Sequence, residues 1–345
     1  MPDVVFRVLA FAAGAFLVAS TVLAAIQSFV LPRNESALLN TWVFRVVRRA
    51  FEGMAALGRT YSQRDKVMAL YAPVGLVALP IVWLTVVSLG YTAIFWALDE
   101  GDLTRCYRIS ASSLLTIGAD EPTHGLVASV MSYSEATLGL LLLTLLISYL
   151  PTMYQAFSRR ELTVARLELR AGIKASAVEL LLWLNRTGSF QDDSQQWQAW
   201  EEWFVEIEET HTSLAILAFF RSPQPGRSWV TAADVILDAA ALISSTVSQP
   251  RDPHMVLCFK AGCVAINRVA RYFKYEAQAQ DTAGPAPDEP HRHDFALACQ
   301  QLRAAGIALQ EENGAWEQYL ELRSRYAGAV AYLARLVMAP EIKPI

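Results

Sequence analysis

Residues 112–125 read SSLLTIGADEPTHG, a run that sets two glycines, a proline, two acids and a histidine between two long apolar segments. Backbone that is not helical survives at membrane depth only where protein shields it or where it lines a wet cavity. What this stretch is therefore depends on whether its neighbours cross a bilayer.

They have the composition to do so. The chain has 345 residues, 54% of them apolar, and a mean hydropathy of +0.28, which places lipid among its solvents. A crossing helix needs about 20 mostly apolar residues, and segments 4–31, 70–98 and 126–154 meet that requirement. In the first of them Asp3 precedes the only nearby cation, Arg7. Its apolar run is also about twice that of a secretory signal, so it reads as a retained span.

Charge sets the orientation. Loop 32–68 carries Arg33, Arg45, Arg48, Arg49, Arg59, Arg64 and Lys66 against three acids, whereas 99–125 carries five acids against Arg105 and Arg108. The positive-inside rule makes the first loop cytoplasmic and the second external. The N-terminus is then outside, and the region beyond 159, where charges recur every few residues, is cytoplasmic. Cys106, Cys258, Cys263 and Cys299 show no metal-ligand spacing, and three of them fall in that reducing compartment, where disulfides are not expected. The net charge of -4 comes with no basic stripe, which argues against a nucleic-acid partner.

The segments between and beyond the spans are helical in pattern. NTWVFRVVRRAFEGMAAL (40–57) sets Val43, Val46, Val47, Ala50, Phe51 and Met54 on one face and its arginines largely on the other. Such a helix suits the cytoplasmic membrane surface or the flank of the cytosolic domain. Helices are expected over 155–187, 194–219, 229–247, 254–278, 293–311 and 313–338, with Thr231 and Asp234 resembling a capping box. The breaker-rich stretches 221–228 and 281–293 read as loops. The chain thus divides into an N-terminal transmembrane helix (1–35), a cytoplasmic amphipathic helix and loop (36–68), a membrane module (69–158) and a cytoplasmic all-helical domain (159–345).

Within the membrane module, residues 102–115 open on an N-capping aspartate and have the length of a short helix dipping in from outside. Residues 116–120 bring the chain back, and Pro122 and Gly125 break it before the next span. Thr116, Ile117 and Gly118, preceded by a serine-rich short helix and followed by an acid and a proline, resemble the filter of tetrameric potassium channels. That filter is usually written TVGYGD with a nearby P-x-T, and Pro122 and Thr123 look like the last element. SYSEATLGLLLLTLLISYLPTMYQAFSRRE (132–161) is similar to the inner helices of this superfamily, with Gly139 twenty-one residues beyond Gly118, where the family often places a gating hinge. Glu135 and the basic amphipathic helix lean toward bacterial inward-rectifier-like members. The resemblance covers roughly 37–160 and implies a homotetramer in a bacterial inner membrane, with monovalent cations as the transported species.

The resemblance also implies roles. Carbonyl oxygens of Thr116, Ile117, Gly118, Ala119 and Asp120 would replace the hydration shell of a cation, with Gly118 allowing the backbone angles this needs. Ala119 stands where the family has an aromatic, the second filter glycine is missing, and the acid-to-proline spacing is short. Those departures imply weak discrimination of potassium from sodium, or no conduction. Asp120 and Glu121 are a carboxylate ring at the outer mouth or simply solvated acids. Glu135 lines the cavity or bonds to Ser112, Ser113 or a neighbouring helix. Gly139 is a hinge or a close helix contact.

In the cytoplasmic region Glu208 and His211 have the spacing of a di-iron motif but lack the second pair it requires. His254 with Cys258, and His291 with His293, read as ordinary surface or core residues. No nucleophile elbow, phosphate loop or dinucleotide motif is present, so neither an enzyme nor a cofactor is expected. The expected fold is an all-α membrane protein with three transmembrane helices, a re-entrant pore loop and a cytoplasmic helical bundle. The expected function is a potassium-channel-like cation channel subunit. The alternative is a non-conducting, membrane-anchored scaffold or signalling protein on the same framework.

Overall fold

The computed structural model describes residues 2–29, 38–123, 125–172, 175–188, 194–224, 226–248, 252–275, 289–310 and 312–340. Among the described residues the regular secondary structure is helical apart from one isolated antiparallel bridge, Val247 to Leu309. It divides into two compact units, Met1–Tyr154 and Gln155–Ile345.

The first unit contains α1 (Pro2–Phe29), α2 (Leu38–Ala56), α3 (Tyr61–Ala69), α4 (Tyr71–Ala97), α5 (Leu103–Leu114) and the first part of α6 (Gly125–Ala171). α1 and α4 meet glycine to glycine. A Cβ on Gly14 would collide with the carbonyl oxygen of Gly90, and one on Gly90 would lie 2.8 Å from Val18. Small residues at such a crossing let two backbones approach where lipid offers no hydrophobic gain for association. Arg7 donates to Asp99 at 2.8 Å, so the start of α1 and the end of α4 share one face of the unit. The charge pattern assigns those two points to one side as well.

Part of the apolar stripe of α2 lies against protein, while Val46, Ala50 and Met54 stay exposed. Val43, Phe51 and Ala55 are buried, and the Phe51 ring meets Tyr71 of α4 edge-on, 6.1 Å between centroids. Asn40 fixes the other end: its amide donates to the Ala24 carbonyl and accepts from the indole N–H of Trp83 at 3.0 Å. One edge of the stripe is therefore covered within the unit.

Among the described residues, four helical stretches are long and apolar enough to cross a membrane: Asp3–Ser28, Tyr61–Ala97, Gly125–Ala171 and Trp229–Thr246. The chain thus reads as a multi-pass membrane protein. The fourth stretch differs in kind, since 83% of it is buried inside the molecule against 17% of the most apolar part of α6. A helix apolar all round is a span or the centre of a large core; this one already has its core.

That core belongs to the second unit. α7 (Ala177–Arg186), α8 (Ser194–Ser213) with a 3-10 turn at Ala215–Phe219, α10 (Pro253–Tyr272), α11 (Glu289–Ala304), α12 (Glu312–Ser324) and α13 (Ala327–Val337) gather around α9 (Trp229–Thr246). The expected helix 155–187 is broken: α6 ends at Ala171, Gly172 follows in the left-handed region at φ +81°, and Ser176 caps α7 by accepting from the Glu179 amide. The expected helix 313–338 is likewise divided, with α13 starting after Tyr326. Thr231 and Asp234 form no capping box. Ser228 caps α9, which leaves Thr231 within the helix and Asp234 buried. α11 starts inside the loop expected at 281–293, with Pro290 in the first turn, where its missing N–H costs no helical bond. Residues 281–288 of that loop lie outside the described residues.

Candidate functional site

α5 begins as its sequence dictates. Asp102 has extended backbone angles and its carboxylate accepts from the Arg105 amide at 3.1 Å, satisfying one of the donors a helix start leaves open. Its end is less ordinary. The Thr116 amide donates to the Ser113 carbonyl and the Ile117 amide to the Ser112 carbonyl, at 3.0 and 2.9 Å. This is the double-bonded C-terminal motif whose left-handed position usually belongs to glycine. Thr116 occupies it with φ +54°. A β-branched side chain there costs roughly 1–2 kcal/mol, and strain of this kind collects at functional positions.

The return loop is then fastened from behind. The Ser112 hydroxyl oxygen accepts from the amides of both Ala119 and Asp120, at 2.8 and 3.1 Å. The buried Glu100 carboxylate accepts from the Thr123 amide at 2.7 Å, and Arg105 donates to the Thr123 hydroxyl at 3.1 Å. Amides 116, 117, 119 and 120 are thus all turned toward α5. Because trans peptides hold C=O opposite N–H, the carbonyls of Leu115, Thr116, Gly118 and Ala119 point away from it. None of the four accepts a hydrogen bond among the described residues. Gly118 has φ +70° with open space around it.

The expected site residues fall in two groups. Thr116, Ile117, Gly118, Ala119 and Glu121 are exposed and Asp120 half-buried, contiguous along the return loop. Glu135 and Gly139 sit behind α5. Glu135 is fully buried and accepts from the Ser110 hydroxyl at 2.5 Å, while Ser110 also meets the Ser88 hydroxyl of α4 at 2.9 Å. Gly139 lies against the last turn of α5, where a Cβ would collide with the Leu114 carbonyl oxygen. Ser113 with Ser132 and Tyr91 with Ser134 complete a polar seam among α4, α5 and α6. Ser88, Tyr91, Ser110, Ser132 and Ser134 are members that sequence reasoning passed over, although serines in an apolar setting are themselves a clue to a buried partner.

In the second unit Glu208 pairs with Arg268 rather than joining His211. His211 is buried beside Arg160, its Nε2 3.4 Å from the guanidinium, with its ring against Trp229. Burial, then the Arg160 charge, holds the imidazole well below its ordinary 6.5. Below about pH 6.5 the unfolded chain therefore takes up a proton that the folded chain refuses. The stability due to neutral His211 is present above that pH and lost as pH falls, by up to about 1.4 kcal/mol per unit. His211→Gln is expected to lower the unfolding temperature of the full chain in detergent near pH 7. Its deficit against the native protein should narrow as the pH is brought toward about 5; a constant deficit would show that His211 is not the group concerned.

α9 carries two buried acids, Asp234 and Asp238. Asp238 accepts from the hydroxyls of Tyr319, at 3.2 Å, and Tyr326, and Arg323 lies 3.7 Å away. Burial pushes both phenols up, and the charge of Asp238 adds to the effect. The four cysteines are free thiols, and no cluster suited to a metal ion occurs among the described residues. No family model, curated protein or solved structure matches the chain.

Proposed function

We propose that the chain is one subunit of a homotetrameric, weakly selective cation channel of the potassium-channel-like pore-loop class, set in a bacterial inner membrane. In this reading α1, α4 and α6 are the spans, α5 is the pore helix and residues 116–120 are the filter. The N-terminus is external and the second unit cytoplasmic. The observation that carries the reading is the main-chain accounting of the return loop: amides 116, 117, 119 and 120 are taken up by α5, and four carbonyls without a hydrogen-bond partner among the described residues are left facing away. A row of such oxygens is the chemistry that replaces the water around a monovalent cation. One loop cannot surround an ion and four can. The exposed Leu140, Leu141, Leu143 and Ile147 of α6 supply apolar surface for lipid and for neighbouring copies.

The test is ion flux from liposomes holding purified protein whose tetrameric state has been established by light scattering. Sodium and potassium should both pass while chloride is excluded. Asp120→Asn should lower cation flux, most at low ionic strength, because a carboxylate ring acts over about 10 Å at 0.1 M salt. Gly118→Val should abolish it by straining the left-handed angle that glycine holds freely. Strong potassium selectivity would refute the reading of the shortened filter. A tetramer that passes no ions would establish the scaffold alternative, and a monomer would end both.

A further inference from the structure

Resting on the reading of residues 116–120 as an ion filter, we propose that Glu135 is the positioning residue for it. Its carboxyl, acting through Ser110, holds α5 at the angle from which the Ser112 hydroxyl fastens the return loop.

The connections run in one line. Glu135 on α6 accepts the proton of the Ser110 hydroxyl on α5, and the Ser110 oxygen in turn accepts from the Ser88 hydroxyl of α4 at 2.9 Å. One serine therefore ties the short helix to the two long helices on either side. Two residues further on, Ser112 projects to the other side of α5 and takes the amides of Ala119 and Asp120. A rotation of α5 about its axis that loosened Ser110 would withdraw Ser112 from the loop, because both side chains belong to one rigid three-turn helix.

Glu135 is also expensive for what it does locally. It is fully buried, and Oε2 has no hydrogen-bond partner among the described residues. A half-satisfied buried carboxyl is worse for stability than an apolar side chain of similar volume. Packing alone would be served better by leucine. A role in orienting α5 accounts for the residue where stability does not.

The experiment compares Glu135→Leu, Glu135→Gln and Ser110→Ala in the full-length protein in lipid nanodiscs. Two readouts are taken, hydrogen exchange at the Ala119 and Asp120 amides and the sodium-to-potassium reversal potential. Glu135→Leu should be as stable to heat as the native protein, yet exchange those two amides at least about tenfold faster, as expected for loss of one hydrogen bond. Its reversal potential should shift. Ser110→Ala should do the same, the double variant should be no worse than either single one, and Glu135→Gln, which keeps an acceptor toward Ser110, should restore both readouts. Unchanged exchange in Glu135→Leu overturns the proposal, as does failure of Glu135→Gln to restore it. Because exchange does not depend on conduction, faster exchange in a tetramer that passes no ions would sustain the positioning role and refute the channel reading alone.

Discussion

Leucine at position 139 is expected to detach α5 from α6 altogether. The Cβ it adds would occupy the space of the Leu114 carbonyl oxygen, which is main chain and cannot rotate aside. α5 must then move bodily, and with it the bonds from Ser113 to Ser132 and from Ser110 to Glu135. Forcing bulk into a packed site costs typically about 1–3 kcal/mol where side chains can yield, and here the obstacle is backbone, so the upper end applies. The measurable result is loss of exchange protection at Ala119 and Asp120 together with loss of flux. Gly139→Ala should already show most of the effect. A hinge predicts a different order, since alanine would be tolerated wherever the helix only needs to bend. Native-like exchange and flux in Gly139→Ala would favour the hinge.

The second large effect belongs to the other unit. Asp238→Ala would leave the Arg323 guanidinium and the Tyr319 and Tyr326 hydroxyls facing a buried void where a shared acceptor had been. Removing one partner of a buried charged network costs about 3–5 kcal/mol, because the remaining groups keep their desolvation penalty. Asp234→Asn should cost far less, since none of the bonds to Asp238 is touched and the shape is kept. Denaturant unfolding of the full chain in micelles reads both changes. Equal losses from the two substitutions would show that the aspartates act as one unit and not through Asp238.

What the sequence revealed and what it concealed divide along a physical line. Local chemistry was legible: Asp102 as a cap, the short helix behind it, Pro122 and Gly125 as the break before α6. These depend on neighbours within a few residues. Rotation about a helix axis was not. The sequence marks Glu135 as a residue needing a partner and suggests Ser112, Ser113 or a neighbouring helix, whereas packing among α4, α5 and α6 selects Ser110. The same limit explains α9. Thr231 and Asp234 have capping spacing, yet Asp234 and Asp238, one turn apart in an otherwise uncharged helix, form a buried acidic stripe matched by groups some 80–90 residues away. Two acids in so apolar a helix were the available clue. The helix at 40–57 was ambiguous for a different reason: amphipathicity states that one face is covered, and not by what.

The pairing of Arg7 with Asp99 bears on how the chain is made. The two residues are separated by 92 positions, so the cation emerges from the ribosome well before the acid that neutralises it. During that interval a lone arginine near the start of α1 favours the cytoplasmic side. Once α4 arrives, the glycine crossing and the ion pair together bind the start of α1 to the face on which α4 ends. The placement of the first apolar helix is in this sense completed by the second, through a contact between residues 92 positions apart in the chain.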